Sequence, residues 1–188
     1  MSSFSKPTIV VDLDDTLVYI TEILPKDIDS NSYFTITFRR KKYYVQMRPN
    51  LQFFLEKLSN IFDIYVFTTL ESCFANKIID KILPNVKSCC RFFKDSCAYF
   101  VGYFIKDLKI INRPLSKTLM IDYSAGSAIK NPKNLIKIKP WNGEKDDNVL
   151  NGLIKIFESI DFDEDIRQSF IEIIKKDIFD GIETFPFI

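Results

Sequence analysis

Asp12-Leu13-Asp14-Asp15-Thr16 sets two carboxylates two positions apart, at the carboxyl end of a short, mostly apolar, β-branched run at residues 8–13 (TIVVDL). Such a run has the pattern of a strand buried on both faces of a parallel sheet. Acids leaving its carboxyl end point into the crevice at the sheet edge, where α/β folds hold ligands. Carboxylates ending a buried strand are costly without a cation, which argues against a purely structural turn. Three other features share the context: the hydroxyl pair Thr68-Thr69 after a second apolar run, Lys106 in mid-chain, and Asp122 closing the run KTLMID. The plainer alternatives are that Asp12 and Asp14 cap a turn, that Thr68 caps the next helix, and that Lys106 is a surface lysine.

The elements that must position these groups follow from periodicity. Residues 34–38 and 43–47 alternate in polarity around Arg39, Arg40 and Lys41, which predicts a hairpin inserted after the first strand. Pro49 opens a helix with Leu51, Phe54, Leu55 and Leu58 on one face. Strand 61–67 and helix 71–83, stopped by Pro84, repeat the unit. Residues 117–122 and 135–138 add two strands, and amphipathic stretches at 147–160 and 163–178 close the chain. Strands alternating with helices predict an α/β, Rossmann-like, mainly parallel sheet with right-handed crossovers. Asp12, Asp14, Thr68 and Asp122 should gather at the carboxyl ends of its strands. The basic run 39–42 reads as a solvated hairpin tip, the alternative being a contact with an acidic or phosphorylated partner.

Composition removes other chemistries. The 188 residues predict a single domain over 1–188. Histidine is absent, which excludes Ser-His-Asp and Cys-His catalysis. The five glycines, at 102, 126, 143, 152 and 181, are too scattered for a dinucleotide fingerprint or a Walker loop. Cys73, Cys89, Cys90 and Cys97 form no Cys-x-x-Cys pair, so a zinc site is not expected, and reduced, mostly buried thiols are. Trp141 is expected in the core. The net charge of +1 gives no bulk attraction to nucleic acid or an anionic membrane. With no leader-like start and no long apolar run, a soluble nuclear or cytoplasmic protein is expected.

The stretches DLDDTLV at 12–18, Arg48-Pro49, VFTTL at 66–70, IKDL at 105–108, Arg113 with Leu115, MIDYS at 120–124, NPKNLIKIKPW at 131–141 and DEDIR at 163–167 occur together along the chain. In them the sequence resembles the haloacid dehalogenase superfamily, and within it the small phosphatases of the FCP/SCP-like, NLI-interacting-factor-like type that act on the carboxy-terminal domain of RNA polymerase II. The resemblance implies a haloacid dehalogenase fold and a Mg²⁺-dependent protein serine/threonine phosphatase. Asp12 would be the nucleophile that forms an aspartyl-phosphate. Asp14, its pKa raised beside another carboxylate, would be the general acid and then the base. Thr68 and Lys106 would bind the phosphoryl group, helped by the Leu13 and Asp14 N–H groups. An all-oxygen site suits Mg²⁺, held by the Asp12 carboxylate, the Asp14 carbonyl and a side chain near 122 and 123.

In that pattern an asparagine follows the aspartate, whereas this chain has Tyr123, a poor Mg²⁺ ligand. Either water fills that corner, Asp122 turns inward as a ligand, or the metal binds weakly; a weakened enzyme is expected, and a catalytically weak or inactive phosphopeptide-binding module is the alternative. The implied substrate is a phosphoserine in an extended, proline-containing peptide gripped beside the hairpin. The proline pocket maps to Glu22, Phe34, Ile36, Tyr43 and Glu71, and its two acids predict an altered peptide preference. A small-metabolite phosphatase is a third reading, disfavoured because the hairpin is too small a cap.

Overall fold

The computed structural model describes residues 6–24 and 29–183. The expected domain of 1–188 extends past the described residues at both ends and across 25–28. In chain order the elements are β1 (Thr8–Val11), β2 (Val18–Thr21), β3 (Tyr33–Phe38), β4 (Lys41–Met47), α1 (Leu51–Ile61), β5 (Asp63–Phe67), α2 (Ser72–Ile82), β6 (Arg91–Phe92), β7 (Ala98–Phe100), β8 (Tyr103–Ile105), β9 (Thr118–Asp122), β10 (Leu135–Ile138), α3 (Val149–Ser159), α4 (Ile166–Lys176) and β11 (Ile182–Glu183).

The central sheet runs β11-β10-β9-β1-β5-β6. It is parallel except for the β10–β11 pair. Strand β1 lies between β9 and β5, with Val11 level with Ile121 on one side and Val66 on the other. All four β1 residues are buried, which is why this run is apolar rather than alternating. Its side chains still divide by face. Ile9 and Val11 join Leu119 and Ile121 in a large core built with side chains from α1, α2, α3 and α4. Val10 joins Phe67, Met120 and Leu135 in a smaller cluster, closed by the 3-10 segments Leu108–Ile111 and Ala125–Ala128. The sheet is thus covered by helices on one face and by short turns on the other.

The expected helices form, with ends moved inward by a residue or more. In α1 the buried residues are Leu51, Phe54, Leu55 and Leu58, the four on the predicted apolar face. In α4 the Asp165 side chain accepts from the Arg167 N–H, so the cap takes up residues that periodicity assigned to the helix. The insertion is larger than a hairpin, because β2 pairs antiparallel with β4 and makes a three-stranded sheet β2-β4-β3. Four residues of β2, directly after the acidic loop, carry too little periodicity to be recognised as a strand. Short β6, β7, β8 and β11 escaped for the same reason. Trp141 is buried as expected. The cysteines are unpaired but not buried: Cys73 and Cys89 are exposed, and Cys90 and Cys97 are half-buried. Cys73 lies in the first turn of α2, and Cys89 in the turn Ser88–Cys90.

Candidate active site

Three neighbouring strands end at one edge of the sheet and deliver the acids and hydroxyl there. Asp12 follows β1 and donates its N–H to the Ile121 carbonyl at 3.1 Å. Asp122 is the last residue of β9, and Thr68 follows β5 with its N–H on the Phe92 carbonyl at 3.0 Å. Lys106 arrives from a different direction. It leaves the two-stranded hairpin β7–β8, whose turn has Val101 and Gly102 at φ 45° and 85°, and its N–H bonds the Ser127 carbonyl at 2.8 Å.

Lys106 is only 1% exposed, and its ammonium lies between two carboxylates, 2.8 Å from Asp12 Oδ1 and 2.6 Å from Asp122 Oδ2. Burial opposes its charge, but Asp12 and Asp122 outweigh burial and hold the lysine above its ordinary range. It is not a surface lysine. Asp12 Oδ2 accepts the Thr16 hydroxyl at 3.1 Å, so both oxygens of this carboxylate are held. Burial raises the Asp12 pKa, Lys106 opposes that rise and Asp122 adds to it. Both oxygens of Asp122 are also engaged, since Oδ1 accepts from the Ser124 N–H at 2.7 Å.

Asp14 lacks such a cation. Burial first, then the charges of Asp15 and Asp12, push its pKa up to about 7, against opposing hydrogen bonds from the Ile20 and Asp15 main chain. Its Oδ1 is buried without a hydrogen-bond partner. Asp15 turns the loop with φ at 56° and gives its carbonyl to the Trp141 N–H at 2.8 Å. Thr68 is buried, and its Oγ1 accepts from the Leu70 N–H at 3.3 Å, which leaves the hydroxyl proton free to donate elsewhere. It does not cap α2, whose N-cap is Glu71.

With Asp14 protonated, Asp12 and Asp122 against Lys106 leave one uncompensated negative charge, and ionising Asp14 would add a second, which burial makes expensive. Among the described residues no group of three or more His, Cys, Asp or Glu is arranged to hold a metal ion. The donors nevertheless fit a hard divalent cation in type and charge: they are all oxygens, the excess is negative, and Asp14 Oδ1 has no partner. Tyr123 is half-buried beside them. Burial and the charges of Asp12, Asp15, Asp122 and Asp14 raise its pKa, so the phenol is neutral and a weak ligand.

The expected peptide pocket has a different environment. Phe34, Ile36 and Tyr43 share a face of the inserted sheet, with Ile36 level with Tyr43. That face packs on α2 and the core. Tyr43 meets Phe74 edge-on at 5.1 Å, Ile36 is 6% exposed, and Phe34 and Tyr43 are half-buried. The two acids are ion-paired with the hairpin: Lys41 meets Glu22 at 2.9 Å and Arg39 meets Glu71 at 2.7 Å. The basic tip is solvated, as expected, and engages these acids of its own chain. Such exposed pairs contribute little stability.

Residues 7–167 match the sequence profile of the NLI interacting factor-like phosphatases. The chain belongs to this family. It is 36% identical over 168 residues to CTD small phosphatase-like protein 2 of Dictyostelium discoideum, covering 88% of this chain and 29% of that protein. It is 33% identical to CTD small phosphatase-like protein 3 of Caenorhabditis elegans, with 81% and 54% covered. With the human carboxy-terminal domain RNA polymerase II polypeptide A small phosphatase 2 it shares 31%, over 86% and 59%. The chain thus spans between about three-tenths and three-fifths of these relatives. In fold it is similar to fission yeast RNA polymerase II CTD phosphatase Fcp1 bound to beryllium fluoride, with TM-score 0.58, 18% identity and coverage of 89% and 54%.

In this member of the NLI interacting factor-like family, sequence pattern alone does not disclose the Lys106 bridge, the Thr16 hydroxyl on Asp12, or the Ser124 N–H on Asp122. Thr16 stood inside the recognised motif and was the one with a visible signal. Among the described residues no helix is long and apolar enough to cross a membrane.

Proposed function

We propose that the chain is a phosphoprotein phosphatase acting through an aspartyl-phosphate on Asp12. The observation that carries the reading is the buried Lys106 bonded to both Asp12 and Asp122, beside the unpartnered Oδ1 of Asp14, whose pKa burial pushes up to about 7. Asp12 attacks the phosphorus in line. Its carboxylate oxygen bonds to phosphorus as the ester P–O bond breaks, and Asp14 gives its proton to the leaving alkoxide. Water then attacks the same phosphorus, passes a proton to Asp14, and releases phosphate as the bond to Asp12 breaks. Lys106, the Thr68 hydroxyl and the Leu13 and Asp14 N–H groups stabilise the phosphoryl oxygens. Mg²⁺, held by the Asp12 carboxylate and the Asp14 carbonyl, would neutralise negative charge on the transferring group. Asp122 holds Lys106 through Oδ2 and the Ser124 N–H through Oδ1, and each oxygen keeps a further lone pair with which it would join Asp12 in holding the cation.

The substrate class is a phosphoserine or phosphothreonine in an extended protein segment, with the RNA polymerase II carboxy-terminal domain named in several relatives as the first to try. Only the exposed parts of half-buried Phe34 and Tyr43 would meet the flanking peptide, their other sides and Ile36 being packed on the core, while Glu22 and Glu71 at the rim favour a peptide unlike one chosen by a purely apolar pocket. Tyr123 supports a second reading, a module that binds phosphopeptides without turning them over. Purified protein with millimolar Mg²⁺ should hydrolyse p-nitrophenyl phosphate and a phosphoserine peptide, and Asp12→Asn should abolish both activities. Tight phosphopeptide binding with no turnover of any phosphoester would establish the second reading and reject the first.

A further inference from the structure

Arg48 is among the largest fully buried side chains of the protein. A structural ion pair would need only its contact with Asp147, where Nε and Nη2 meet the two carboxylate oxygens at 2.7 and 2.8 Å. The remaining donors go elsewhere. Nη1 bonds the Thr16 carbonyl at 2.9 Å, and Nη2 also reaches the Lys139 carbonyl at 3.1 Å. The Arg48 N–H holds the Leu17 carbonyl at 3.1 Å, so side chain and main chain grip the same turn. Thr16 in turn places its hydroxyl on Asp12 Oδ2. Asp147 is itself fixed, since its Oδ1 accepts from the Val149 N–H at the start of α3.

We propose that Arg48, anchored by Asp147, is a positioning residue for phosphoryl transfer: through Thr16 it orients the Asp12 carboxylate. The inference rests on the phosphatase reading above. Lys106 holds Asp12 Oδ1 and the Arg48–Thr16 link holds Oδ2, so together they restrict the rotation of the nucleophile about its side-chain bonds. A planar fork of donors is needed to reach Asp147, Thr16 and Lys139 at once, and a lysine ammonium cannot reproduce it. Small misplacement of a reacting group by a remote change costs up to about 100-fold in rate.

The test combines kinetics with hydrogen exchange. In Arg48→Lys, kcat for p-nitrophenyl phosphate should fall about 10- to 100-fold with KM little changed, because Arg48 touches no substrate. Thr16→Val should show a similar loss, Thr16→Ser should retain activity, and adding Arg48→Lys to Thr16→Val should cost little more. The Leu17 and Val18 amides, both bonded to the Leu13 carbonyl, should exchange faster in Arg48→Lys while the Val10 and Met120 amides keep their protection. If Arg48→Lys does not fold, Asp147→Asn loosens the same fork and carries the same expectations. Multiplicative losses in the double variant, a change in KM alone, or equal deprotection of loop and sheet would overturn the proposal with the phosphatase reading intact. A wild type inert toward every phosphoester would instead overturn the phosphatase reading, and the positioning role of Arg48 with it.

Discussion

Replacing Asp14 by asparagine should stabilise the fold while removing the proposed general acid. Asp14 is pushed from 3.8 to about 7 by burial and by neighbouring Asp15 and Asp12. Between those values the folded protein binds a proton that the unfolded chain has released, so stability falls as pH rises from about 4 to about 7 and is flat beyond. A shift of about three units at roughly 1.4 kcal/mol each sets an upper limit near 4 kcal/mol, and residual solvent access brings the expected figure to about 2–4 kcal/mol. Asparagine keeps the shape and carries no charge. In EDTA at pH 8, Asp14→Asn should therefore raise Tm by roughly 4–16 °C for a chain of this size. At pH 5, where wild-type Asp14 is largely protonated when folded, the gain should shrink to about 1 kcal/mol. Thermal unfolding followed by circular dichroism across this pH range is the assay. A variant equally or less stable than wild type at pH 8, or a gain that does not change with pH, would refute the claim that an uncompensated carboxyl sits at this site.

Lys106→Met should cost about 3–5 kcal/mol at pH 7.5 in urea unfolding, because it leaves Asp12 and Asp122 buried without their shared cation, and the loss should diminish at pH 5 as Asp12, whose pKa burial already raises, takes up a proton. Gly126→Ala should destabilise by about 1–3 kcal/mol, since the added Cβ would lie 2.1 Å from a ring carbon of Tyr103 and would push hairpin β7–β8 away from the segment that anchors Lys106. A Gly126→Ala protein with unchanged midpoint and unchanged hydrolysis would show that the hairpin adapts without moving Lys106.

Local pattern carried much of the architecture. The apolar runs before Asp12, Thr68 and Asp122 were legible because strands buried on both faces must be continuous in apolar residues, and the α1 face because four side chains recur at helical spacing. The chemistry of the acidic loop was legible for a related reason: carboxylates at the end of such a strand are unfavourable unless something compensates them. Strands of two to four residues, such as β2 and β6, left no periodic trace and exist through pairing alone.

The sequence by itself determined the strand-helix alternation, the acids at the strand ends and the family that these motifs mark. The tertiary structure alone decided which charges meet. Lys106 joins Asp12 across 94 positions and Asp122 across 16, and Arg48 joins Asp147 across 99. It likewise turned the Ile36 and Tyr43 face onto α2 and paired Glu22 and Glu71 with the hairpin cations. The physical reason is range: burial is written in the spacing of neighbouring residues, whereas an ion pair depends on strand order and register, which only the assembled sheet supplies.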